Sequence, residues 1–193
     1  MNSRPLEEAA RQVARLLPVM AAGDALFIVL SVVVSPVPVS PPAPGSSASP
    51  WSIAYAGGQV LVHVVSGLAA GALSLDPAVA LVGAVVGPCI DLDHLGFLAG
   101  LPVEARVAHS ILFVALLVLV DWRGHIWAKG TRNFSLFISL EYSLHLAVAP
   151  PGFPLLAPLV STSFYFSRWI PAALAAGLGV GFFVDSRRRL GRP

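Results

Sequence analysis

The sequence predicts an all-α bundle of about six membrane segments with both termini on the cytoplasmic side. Three observations predict it. Hydrophobic residues make up 56% of the 193 and charged residues only 11%, against roughly 25% charged in soluble domains, and the mean hydropathy is +0.79. Six apolar runs are long enough to cross a bilayer or nearly so. Lys and Arg gather on one side once alternate connections are counted. No long polar stretch is left to build a second domain, so residues 1–193 are read as one integral-membrane domain. The single Cys89 excludes an internal disulfide.

The first run, 16–34, follows Arg4, Arg11 and Arg15. That order also fits a cleaved signal peptide. The run is about 19 residues, however, beyond the 7 to 15 of a signal core, and no Ala-x-Ala site follows it, so an uncleaved helix is expected. Residues 35–58 carry no charge and hold Pro36, Pro38, Pro41, Pro42 and Pro44, which favour extended backbone; they are read as a Pro/Ser-rich extracytoplasmic loop. Runs at 59–75, 77–90, 108–121, 134–150 and 169–185 complete the set. The third and fourth are short for a span of about 20 residues and are expected to tilt or to pack inside the bundle. Gly67 and Gly71, Gly83 and Gly87, and Gly177 and Gly181 have the small-x-x-x-small spacing that lets helices approach closely. Trp51, Trp122, Trp127 and Trp169 flank apolar runs as interfacial aromatics do, and Asp24 within the first run is left without a role.

If all six runs cross, the cytoplasmic side receives Arg4, Arg11, Arg15, Arg123, Lys129, Arg132, Arg187, Arg188, Arg189 and Arg192. The other side receives only Arg106 and Arg168. This bias is the positive-inside rule for a cell-membrane protein, and the Arg187-Arg188-Arg189 run reads as an anchor near anionic head groups. Membrane lipids are therefore the expected surroundings. Nothing reads as a phosphate loop or a base-reading module, so no nucleic-acid partner is expected; the sequence is silent on oligomeric state.

The same crossing count places His63, Asp91, Asp93, His94, His109 and His145 near one face, the extracytoplasmic one, with His125 alone on the inner side. No histidine entered the charge rule. Ionisable groups at membrane depth cost about +2.5 to +3.5 kcal/mol each at a helix centre, so they usually have a partner or a task. Imidazoles and carboxylates projecting from facing helices are how bundles hold metal ions. The donor set suits a divalent ion, zinc favoured, with iron, nickel or manganese also compatible. Such an ion lowers the pKa of water to about 7 for attack on an ester. Glu141 stands four residues before His145 on the same helical face, where it is a ligand, an orienting partner of the imidazole, or a general base.

The order of these residues resembles a known family. His63, then Asp91-Leu92-Asp93-His94, then His109-Ser110, then His145 followed by Gly152-Phe153-Pro154-Leu155-Leu156-Ala157-Pro158 is similar to the YdjM-like family of membrane-bound, metal-dependent hydrolases. The resemblance covers about residues 59–160 and extends distantly to the helical zinc phospholipase C and P1 nuclease group. It implies a phosphoester or lipid-like substrate and a metal held by His63, Asp91, Asp93, His94, His109 and His145; catalytic roles are expected for Asp93 in the packet and, from its spacing to His145, for Glu141. This chain departs from the family pattern where Cys89 and Ile90 separate Pro88 from the Asp packet, where Glu104, Ala105 and Arg106 stand in place of an upstream His, and where Ala149 stands in place of a late Asp.

Bland readings stand beside these. Asp91 and Asp93 also suit a helix-capping loop, and His63 a hydrogen bond between helices. Ser110 reads as a helix-end hydrogen-bonding residue rather than a nucleophile, and Cys89 as a buried, inert thiol. The reading that unites the residues is a metal-dependent membrane hydrolase with its site at the extracytoplasmic face. The alternatives are an ion- or metal-handling transporter and a non-catalytic scaffold.

Overall fold

A computed structural model describes residues 4–34, 53–93, 109–148, 155–159, 165 and 167–191, with side chains for all of these except 53–59, 93 and 148. The described residues form six α-helices and no strand. They are α1 (Arg4–Val34), α2 (Ile53–Ala72), α3 (Pro77–Cys89), α4 (Ile111–Gly124), α5 (Thr131–Val148) and α6 (Trp169–Leu190), with a 3-10 turn (Ile90–Asp93) closing α3.

Helix α1 begins well before the apolar run at 16. Its first turns are amphipathic, and the buried positions Ala9, Gln12, Leu16, Met20, Gly23, Phe27 and Ser31 recur at the three-to-four-residue period of one helical face. A search for apolar runs misses that face, whereas periodicity finds it. Helix α2 likewise starts at Ile53, inside the stretch read as loop; residues 35–52 lie outside the described ones.

The glycines of α2 and α3 set the tightest contact. A Cβ on Gly67 would lie 2.0 Å from the Gly83 carbonyl oxygen, and one on Gly71 would lie 2.4 Å from that of Val79. Only the missing side chains allow the two backbones to meet. The turn between them holds Leu75 at φ 60°, then Asp76, whose Oδ1 caps α3 by accepting from the Ala78 N–H at 2.8 Å, with Pro77 at the first helical position. The third glycine pair behaves differently. Nothing lies within 4 Å of a Cβ on Gly177, and Gly181 meets only the end of Leu136, so that pair makes no close helix approach.

The helices alternate in direction. At one end Lys129, between α4 and α5, reaches Asp76 and approaches Glu8 of α1 at 3.8 Å, while Arg189 of α6 bonds Asp185 at 2.8 Å. Asp185 accepts from Asn133 Nδ2 at 3.2 Å, and Asn133 Oδ1 accepts from Trp127 Nε1 at 3.0 Å. This end therefore carries the start of α1, the α2–α3 turn, the α4–α5 connection and the end of α6, the same grouping that the charge rule assigned to one side. Trp127 is not interfacial: it is buried and stacked on Phe137, with centroids 5.2 Å apart. Between the ends lies an apolar core of Val82, Val86, Phe113, Leu117, Phe137 and Phe182.

Among the residues with described side chains, two helices, α1 and α6, are long and apolar enough to cross a membrane, rather than about six; of α2 only Val60–Ala72 falls among those residues. The reason is length and content. Helix α3 has 13 residues and α4 has 14, each about 20 Å long at 1.5 Å per residue, against a hydrocarbon thickness of about 30 Å. Helix α5 is interrupted by Asn133, Glu141 and His145.

Candidate metal centre

The glycine contact that joins α2 to α3 also builds the site. A Cβ on Gly87 would stand 2.4 Å from the His63 carbonyl oxygen, so the absent side chain draws His63 against the end of α3. The chain then tightens into the 3-10 turn and presents Asp91 beside it. On the opposite wall α5 carries His145 in its last turn, and His109 precedes the α4 N-cap.

Ser110 fixes that N-cap. Its Oγ accepts from the Leu112 N–H at 3.1 Å and lies 2.6 Å from the Ala157 carbonyl oxygen, to which it donates. The Ile111 N–H donates to the Leu155 carbonyl at 3.0 Å. Ser110 is thus a structural clamp between α4 and residues 155–159, as its helix-end position suggested. Tyr142, which the sequence reading passed over, donates its hydroxyl to the His109 carbonyl oxygen. Its place next to Glu141, on the face that carries His145, is the only signal the sequence held.

Three imidazoles converge on one carboxylate. His63 Nε2 lies 3.3 Å from Asp91 Oδ2, while His145 Nε2 and His109 Nε2 lie 3.3 and 3.4 Å from Asp91 Oδ1. His109 Nε2 and His145 Nε2 are 2.7 Å apart, and the His63 and His145 rings stack with centroids 4.0 Å apart. All three histidines are buried, and Asp91 is partly exposed. The ligand atoms of His63, Asp91 and His145 lie within 4.8 Å of one another, so this cluster could hold a metal ion.

The donor spacing fits such an ion. Four N/O donors about 2.0–2.1 Å from a tetrahedral centre stand about 3.3 Å from each other. His109 and His145 stand near that value from Asp91 Oδ1 and His63 from Oδ2, so both carboxylate oxygens face the centre, and the His109–His145 pair, at 2.7 Å, would have to open by about 0.6 Å. Two Nε2 atoms this close require one to donate and the other to accept, or a cation shared between them.

Glu141 sits one helical turn before His145, 1% exposed, and its Oε1 has no hydrogen-bond partner among the described residues, nor does the buried Nδ1 of His145. The same oxygen lies 3.1 Å from where a Cβ on Gly83 would be, so that glycine makes room for it. The Asp93 side chain and all of His94 lie outside the described residues. His125 is at the other end, an exposed left-handed C-cap of α4 at φ 48°. Asp24, within the apolar run, is buried midway along α1.

No protein-family model, curated protein or solved structure matches the chain.

Proposed function

We propose that the protein is an integral membrane hydrolase that uses a divalent metal, zinc favoured, to cleave a phosphoester or lipid-like substrate. The observation that carries this reading is the convergence of His63, His109 and His145 Nε2 on the Asp91 carboxylate from four separate chain segments. Those four residues would hold the ion, and the order of motifs similar to YdjM-like hydrolases supplies the reaction class. When bound, a divalent metal polarises a phosphoryl oxygen and lowers the pKa of water to about 7.

The chain's own residues supply the remainder. Asp91 is the partly exposed member of the cluster, which leaves the centre open along its edge. The three histidines are buried and so shielded from bulk water. Glu141 Oε1 and His145 Nδ1 are two buried atoms without hydrogen-bond partners among the described residues, one turn apart on one helix face, the spacing at which a carboxylate can orient an imidazole. A bond between them would fix the imidazole with Nε2 toward Asp91 and give Glu141 a proton to hold.

The membrane reading is supported by an inverted distribution of polarity. Val29, Val33, Leu61, Val65, Leu119, Leu174 and Val180 point outward, while Gln12, Asp24, Asn133, Glu141 and three histidines are inside. Exposed apolar surface on that scale suits a lipid solvent. In this reading α1 and α6 cross, the shorter helices pack between them, and the Lys129–Arg189 end is cytoplasmic by the positive-inside rule.

The test is metal content by elemental mass spectrometry of detergent-purified protein, parent against His145→Ala and Asp91→Ala. Near-stoichiometric zinc in the parent that both variants lose supports the reading. A parent that stays metal-free after incubation with zinc, iron and manganese overturns it.

A further inference from the structure

A long apolar groove runs along α4 and α5 and ends beside the histidine cluster. Its upper part is a cavity of about 600 Å³ between α4, α5 and α6, bounded by Ile111, Val114, Tyr142, Leu146, Leu155 and Leu174. A second hollow of about 520 Å³ shares Ile111, Val114 and Ser139 with it and continues down to Trp122 and Thr131. From Leu146 to Thr131 the groove follows α5 for about 22 Å at 1.5 Å per residue. A space this long and narrow suits an extended chain better than a compact molecule.

Its mouth is lateral. Ile111, Leu119, Trp122 and Leu174 are each about half exposed along it, facing the surroundings that the membrane reading fills with hydrocarbon. Its upper end is tied to the metal centre. Ile111 lies two residues beyond His109, Leu146 follows His145, and the hydroxyl of Tyr142 in the groove wall holds the His109 carbonyl. A chain seated here brings its polar end to the cluster. Another apolar hollow of about 590 Å³, between α2, α5 and α6, also passes near His145 at Leu144 but has no hydroxyl in its lining to bond a residue of the cluster.

We propose that this groove holds one acyl chain of a membrane lipid, with the lipid's ester end at the His63–Asp91–His109–His145 cluster and the chain's methyl end toward Trp122. The inference rests on the metal-centre reading and names its substrate class as a lipid ester or lipid phosphoester, admitted sideways from the bilayer. Discrimination would come from the groove, since apolar walls accept a chain and the Tyr142 end admits only what the chain delivers.

The test uses the full chain in phosphatidylcholine vesicles doped with phosphatidylcholine whose acyl chain carries a diazirine either next to the carbonyl or at the methyl end. Labelled residues are mapped by peptide mass spectrometry. The carbonyl-end probe is expected on Tyr142, Leu146 and Leu155 and the methyl-end probe on Val118 and Trp122, each several-fold above Leu73 and Val180 elsewhere on the exterior. Ser139→Phe, which fills the groove, lowers both signals several-fold; Ala115→Phe does so independently if the first variant misfolds.

Equal labelling of all exposed faces, the reverse order of the two probes, or cross-links between two copies of the chain at the groove would overturn the proposal. His145→Ala separates the two readings. It should lose metal yet keep the labelling pattern, so a failure of metal binding shows in metal content alone and a failure of the groove in the label map alone.

Discussion

The Nε2 atoms of His109 and His145 lie 2.7 Å apart although 36 residues separate them in the chain. Neither is on the surface, and both lie against the same Asp91 oxygen. Two imidazoles held this way have one proton between them or a cation across them. Adding zinc to metal-free protein should therefore raise its thermal midpoint by several degrees, since a ligand at about 1,000 times its Kd adds ~4 kcal/mol to stability. His109→Ala and His145→Ala should each abolish the rise. Thermal unfolding in detergent with and without zinc makes the measurement, and an equal rise in the variants would place the ion elsewhere.

The proposed role of Glu141 is to orient His145. Glu141→Gln keeps the shape of the side chain and removes the carboxylate, so zinc affinity or turnover should fall about 10- to 100-fold with the fold intact. Competition with a chelating dye gives the affinity. An unchanged value would confine Glu141 to packing beside Gly83.

The glycines separate packing from spacing. Gly67→Ala forces a Cβ to within 2.0 Å of the Gly83 carbonyl oxygen, a backbone atom that cannot step aside, and α2 and α3 must part. A loss of at least about 1–3 kcal/mol is expected, with His63 and Asp91 drawn apart and metal binding lost. Gly177→Ala meets nothing within 4 Å and sits inside α6, so it should stabilise by about 0.5–1 kcal/mol. Comparing the two thermal midpoints tests the contrast, because a bundle without the α2–α3 contact would tolerate both.

Asp76 carries a pH dependence whose direction is set by its partners. Burial pushes its carboxyl up, but hydrogen bonds from Lys129 and from the Ala78 N–H, with the Lys129 charge, outweigh burial and hold it below its ordinary value of 3.8. The folded state thus prefers the ionised form. Its stabilising effect is fully present above the ordinary carboxylate range and is lost as pH falls through the lower folded value. Asp76→Ala should cost about 1 kcal/mol at neutral pH, mostly from the cap, and progressively less below pH about 3.8. Asp76→Asn keeps the cap and should cost only about 0–1 kcal/mol, diminished by salt. Midpoints for the three proteins at neutral and acid pH decide the matter.

Asn133 is fully buried and connects Trp127, Asp185 and Ser186. Asn133→Leu leaves each of them without that partner and should cost about 2–4 kcal/mol while leaving metal content unchanged, since the cluster is at the other end of the bundle. A loss of metal at full stability would contradict the separation of the two ends.

The sequence by itself determined the helical class, the alternation of charged and histidine-bearing ends, and the capping role of Ser110. Each depends on local chemistry: apolar content, the placement of Lys and Arg, and the preference of a hydroxyl for a helix start. It also held the two glycine pairs of α2 and α3, because small residues four apart lie on one face. Spacing alone could not distinguish them from Gly177 and Gly181. The partner helix decides that, and it passes close only to the first two pairs.

Tertiary structure decided the rest. It buried Trp127 and Asp24, which a linear reading left at an interface or without a role, and joined Asn133 to Asp185, residues 52 apart, into a network no local window contains. Among the described residues it left α1 and α6 as the helices long and apolar enough to cross a membrane, with α3 and α4 too short for a full span. Above all, the three Nε2 atoms meet Asp91 through the α2–α3 backbone contact, the 3-10 turn after α3 and the Ser110 clamp acting together. A sequence can bring ligands to the same end of a bundle; only the packing of four segments brings their atoms within coordination distance.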